Sequence, residues 1–152
     1  MSVPDFVIGT MLLLKNNWGL TGSLAGSNVA FTTGFYNERL NTPQVCVTPL
    51  IEPIKVKNIG TTPFHFIQHI AQINVWVRAP TTAGSSLGQA KNDRYRIMAE
   101  IRRIIREFPT NVNQFMRYSE ISYHELLDVR PPLLNGELRA TIYDFRGAES
   151  NT

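Results

Sequence analysis

The chain predicts an α+β fold: a mainly antiparallel sheet of four to six strands packed with two helices, an N-terminal one and a central amphipathic one. Three observations carry that prediction. Residues 63–80 (PFHFIQHIAQINVWVRAP) alternate apolar and polar positions with many β-branched side chains, the pattern of a long strand. Residues 90–108 (AKNDRYRIMAEIRRIIREF) switch to a 3.6-residue period with an arginine-rich outer side. Further alternating segments, PQVCVTPL at 43–50 and ELRATIYDF at 137–145, flank this pair rather than interleaving with helices.

The elements follow in order. Pro4 and Asp5 precede apolar positions at Val7, Met11, Leu14 and Trp18, which suits a helix of about three turns. Pro4 fits its first turn, where a missing N–H costs nothing, and Gly19 offers a stop. Residues 19–42 are rich in Gly, Ser, Thr and Asn, enclose the β-like piece NVAFTTGFY, and are expected to be flexible or ordered by a partner. Strands are expected at 43–50 and at 54–60, the second alternating apolar and basic. In the 63–80 strand, His65, Ile67, His69, Ala71, Ile73, Val75 and Val77 share the better core face.

Residues 81–88 contain two glycines and two serines and are expected to be a flexible loop, so the helix is placed at 89–107. Its apolar side is Ile97, Ile101, Ile104, Ile105 and Phe108, with Tyr95 and Met98 at the margin. A polar loop (TNVNQ) leads to a long strand at 115–129. A turn through Pro131-Pro132 and Asn135-Gly136, longer than a two-residue hairpin, then precedes the last strand. Residues 147–152 are expected to fray. The whole, residues 1–152, reads as one domain.

Composition limits the function classes. The chain is 43% hydrophobic and 18% charged, with a net charge of +3, too small to argue nucleic-acid binding without a clustered patch. The single Cys46 forbids an intrachain disulfide and any cysteine zinc site. The apolar run FVIGTMLLL is too short to span a bilayer and has no basic residue before it, so neither a membrane nor a signal-peptide role is expected.

No catalytic or metal constellation is legible. His65 and His69 stand about 13 Å apart along a strand, too far to share one ion; no carboxylate near them is evident in the sequence, and His124 stands alone. Cys46 lies mid-strand as a small core residue, G-x-S-x-G is absent, and 84–88 lacks the lysine-threonine of a phosphate loop. Glu120, Glu125 and Asp128 are scattered. No catalytic residue, metal or cofactor is assigned, and no enzymatic activity is expected.

The best functional candidate is an interface. Arg96, Arg102, Arg103 and Arg106 form the outer side of the central helix, with Glu100 four residues after Arg96 and Glu107 four after Arg103. Trp18, Phe35, Tyr36, Trp76 and Arg78 complete the candidate contact set, since aromatics and arginine suit interfaces.

In the order of its pieces, FTTGFYNERLNTPQVCVTP, HIAQINVWVRAP, AKNDRYRIMAEIRRIIREF and ELRATIYDF, the chain resembles the tail-terminator and tail-completion proteins of tailed phages and related archaeal viruses. The resemblance is one of pattern over most of the chain. It implies a structural virion protein, assembled in the host cytoplasm. Such a subunit forms a homo-oligomeric ring, often a hexamer, that caps the tail tube and contacts tail-tube and neck proteins. Two alternatives stand beside it: another neck, head-closure or tube subunit, and a less favoured basic nucleic-acid-binding α+β module.

Overall fold

The computed structural model describes residues 6–50, 55–58, 65–79, 84–108, 116–130 and 133–144. The expected Pro4 start, the polar loop at 110–114 and the frayed tail at 147–152 lie outside them, as do the side chains of His65 and His124.

One strand organises the sheet. β4 (His65–Arg78) pairs along one edge with both β2 (Gln44–Pro49) and β3 (Lys55–Asn58), and along the other with β6 (Leu133–Asp144). All three pairings are antiparallel. β5 (Met116–Arg130) extends the sheet beyond β6, and β1 (Ala30–Thr32) joins β2 in parallel. The result is a curled, mixed six-stranded sheet in an α+β fold, ordered β1-β2-β4-β6-β5 with β3 beside β4. The parallel pair explains the long connection at 33–43: the chain must return from the end of β1 to the start of β2.

Both helices, α1 (Phe6–Asn16) and α2 (Gly84–Glu107), pack on one face of this sheet. Ala71, Ile73, Val75 and Val77 are buried there and oppose Ala140, Leu138, Gly136 and Leu134 on β6. This is the core face expected from alternation. Ile97, Ile101, Ile104 and Ile105 of α2 close over it. The hydrophobic phase of α1 is turned from expectation: Val7, Thr10, Leu13 and Leu14 are buried, whereas Met11 is only half-buried. α1 lies beside α2 on that face, against β1, β2 and β4, and Thr10 shares a hydrogen bond with Tyr118 of β5. A burial surface on two sides draws in a polar residue that a single-stripe reading leaves out.

Three boundaries differ from the sequence reading. Residues 84–88 are not a loop but the first turns of α2, because Leu87 packs on the core and Ala90 is buried, and packing outweighs weak local propensity. Asn135 and Gly136 do not form a turn; they lie inside β6, paired with Trp76 and Val75 on one side and Leu127 and Leu126 on the other. The glycine is there for closeness. A Cβ at Gly136 would sit 2.4 Å from Met98 Sδ, so its absence lets α2 settle onto the sheet. Finally, β5 and β6 already pair at Arg130 and Leu133, so their connection is shorter than expected.

β5 forms one margin of the sheet, and its register with β6 shifts near Tyr118, Tyr123 and Asp128. Such irregularities bend an outer strand and discourage indiscriminate pairing.

Candidate protein interface

The face of the sheet opposite the helices carries the even-numbered residues of β4, among them Gln72, Asn74 and Trp76, all half-buried. The connection at 33–43 crosses one end of it. Tyr36 lays its ring against Trp76, with centroids 5.1 Å apart and planes tilted 32°. Arg78, at the end of β4, donates to the Tyr36 hydroxyl from Nε at 3.2 Å and Nη2 at 2.9 Å. Beside them, the fully buried Gln44 accepts from the Asn37 N–H at 2.9 Å and donates to the Asn37 carbonyl at 2.8 Å. Gln44 thus stands in for a backbone partner. It holds the loop as a strand neighbour would. Phe35, next to the anchored Tyr36, is 89% exposed.

Of the predicted aromatic contacts, then, Tyr36, Trp76 and Arg78 come together, and Phe35 projects from the same loop. Trp18 does not join them. Its Nε1 donates to the Leu24 carbonyl at 2.7 Å, and its ring meets Phe31 edge-on at 5.0 Å, so it fastens the chain after α1. Leu24 and Val29 are buried, and the first half of the segment expected to be flexible is built into the core.

The arginines of α2 divide. Arg103 is committed internally. It donates to Glu100 from Nε at 2.7 Å and from Nη2 at 2.9 Å, to Glu107 at 2.7 Å, and to the Asn17 carbonyl at 3.0 Å. Glu100 also accepts the Gly19 N–H. The expected Arg103–Glu107 pair forms, but Glu100 pairs with Arg103 rather than with Arg96, because its carboxylate is turned inward to hold the chain after α1. The hydrogen bond from Arg103 holds the Glu100 carboxyl below the usual carboxylate range, against the opposing effect of burial. Arg96 and Arg106 are exposed. Arg102 and Arg106 border an open groove of about 380 Å³ with Tyr95, which is 68% exposed rather than at the core margin.

Among the described residues, Cys46, His69 and Asp144 have structural roles. Burial pushes the Cys46 thiol up to about 11, which suits an inert core cysteine. His69 does have a carboxylate beside it, contrary to the sequence reading: its Nε2 lies 3.2 Å from Asp144 Oδ2, and Phe6 stacks on the ring at 4.5 Å. The two residues are 75 positions apart and meet only because β4 and β6 pair. Asp144 was invisible to motif reading for the same reason, whereas Gln44 meets Asn37 only seven positions away. The one local sign of Gln44 is a polar residue at the head of an apolar strand.

Among the described residues, no three His, Cys, Asp or Glu side chains gather into a metal-binding group, and no helix is long and apolar enough to cross a membrane. Compared with known proteins, the chain matches no family model and no curated sequence.

Proposed function

We propose that the protein is a structural virion subunit that assembles into a ring, terminates the tail tube and joins it to the neck or head. The observation that carries this reading is the two-layer build. Both helices occupy one sheet face, while the other presents Gln72, Asn74 and Trp76 with a fastened loop at its end. A sheet face rich in amides and aromatics, and free of a helix, suits lateral contact with like subunits or with a tube of similar sheets. Its neighbours are then tail-tube and neck proteins, and its role is assembly rather than catalysis. Light scattering and native mass spectrometry at micromolar concentration, with and without purified tail tubes, test this. The expected result is an oligomer or its capture on tube ends; monomer under both conditions overturns it.

A second reading is favoured by one feature. Tyr95 stands exposed beside Arg102 and Arg106, and Glu100 is turned away from that side, which suits stacking and phosphate contact with a nucleic acid. A salt-dependent mobility shift on DNA, lost in the Arg102→Glu/Arg106→Glu double variant, is its expected signature. No binding at low salt eliminates it.

A further inference from the structure

Along α2, Tyr95, Ala99, Arg102 and Arg106 follow one another at steps of four, three and four residues, so they form a single stripe on the helix. All four line the open groove of about 380 Å³. At 1.5 Å per residue the stripe runs about 16 Å along the axis. Tyr95 is 68% exposed, and the exposed Ala99 next to it adds only a methyl group. The groove therefore has an aromatic end, a small floor and a guanidinium end.

Charge fits an anion. From Tyr95 to Glu107 the helix carries four arginines and two glutamates. Both glutamates are bonded to Arg103, and Glu100 is turned inward to the Gly19 N–H, so the outer side keeps an excess of positive charge. The same stretch contains no asparagine or glutamine, the amides that read adenine edges. What it offers is a ring face, on which any base can stack, and guanidiniums, which meet phosphates of any sequence. In a duplex the base faces are already covered by their neighbours, and the ring has nothing to receive. An acidic peptide would use the guanidiniums and leave the ring idle.

We propose that this groove binds single-stranded nucleic acid without sequence preference, a base stacking on Tyr95 while Arg102 and Arg106 meet neighbouring phosphates. This deepens the nucleic-acid reading and rests on it; it stands whether or not the tail reading does.

The test is fluorescence anisotropy of the full chain at low salt, with a labelled thymidine strand of about 15 nucleotides and with a duplex of the same length. The strand should bind at least about tenfold more tightly than the duplex. Tyr95→Ala should weaken strand binding about tenfold, the effect of losing one stacked base, and leave duplex binding as it was. Tyr95→Phe should keep most of the affinity, because the ring face and not the hydroxyl makes the contact. Because Tyr95 is exposed, neither variant should lower the thermal unfolding temperature. Equal binding of strand and duplex, with Tyr95→Ala neutral, overturns the inference but leaves the nucleic-acid reading standing. Binding to neither overturns both. Displacement of the strand by poly-glutamate at equal charge concentration assigns the groove to an acidic protein segment and likewise overturns the inference.

Discussion

Two stretches of similar composition flank β1, and they are held in opposite ways. The chain after α1, from Asn17 to Leu24, is fastened on the helix side by a buried carboxylate and a guanidinium: Glu100 takes the Gly19 N–H and two bonds from Arg103, which also caps Asn17. The connection at 33–43 is fastened on the other face by an amide bonded to the Asn37 backbone and by a phenol accepting from the Arg78 guanidinium, with no carboxylate involved. Both read from sequence as one loose segment. A carboxylate clamp in a partly dry site is strong and titratable; an amide–backbone pair and an exposed guanidinium–phenol bond are weaker, and neither contains a group that acid protonates. The first stretch therefore behaves as core, and the second as a fixed but easily altered surface.

The contrast is broken most severely at Glu100. Glu100→Ala leaves Arg103 and the Gly19 N–H without their acceptor and should cost about 2–3 kcal/mol in denaturant unfolding, less than a fully buried pair because Arg103 is 39% exposed. Acid sharpens it. The Glu100 carboxyl titrates lower in the folded chain than unfolded, so its contribution is present above about pH 4.3 and is lost as pH falls through the folded value. Glu100→Gln should show a flatter decline in stability below that pH than wild type, whereas Gln44→Leu should run parallel to wild type. Parallel curves for Glu100→Gln would mean that the clamp is not electrostatic.

Gly19→Ala comes next. Its Cβ would lie 3.1 Å from Glu100 Oε2 and 3.2 Å from Arg103 Nη2, and the clamp must open by a few tenths of an ångström, for about 1–2 kcal/mol by thermal unfolding. Gln44→Leu removes two bonds to Asn37, but that residue is exposed and water replaces them, so about 1 kcal/mol is expected. Tyr36→Phe, losing only the acceptor for the exposed Arg78, should cost about 0.5 kcal/mol or less. A larger effect from Tyr36→Phe than from Gly19→Ala would reverse the ranking of the two stretches.

Much of the frame was legible. The alternation of β4 named its core face because a strand's side chains take opposite sides whatever it pairs with. The isoleucines of α2 named its buried side for the same kind of reason. Local chemistry misled where close contact overrode it: Gly84 to Gly88 looked like a loop, and Asn135-Gly136 looked like a turn. The candidate surface was legible only in part. Tyr36, Trp76 and Arg78 were singled out as residue types, but Asp144 was not, since its partner lies 75 positions away, nor was Gln44, whose bonds to Asn37 depend on how the intervening loop folds back.

The sequence by itself determined the α+β class, the periodicity of each main element and the residues that must be hidden, because these depend on side-chain spacing along a single segment. Tertiary structure alone decided which glycines are close approaches, which carboxylate faces which arginine, and that one polar stretch splits into a clamped half and a half that displays Phe35. Those outcomes depend on distances between segments far apart in the chain. Periodicity constrains a surface, and only the meeting of surfaces assigns partners.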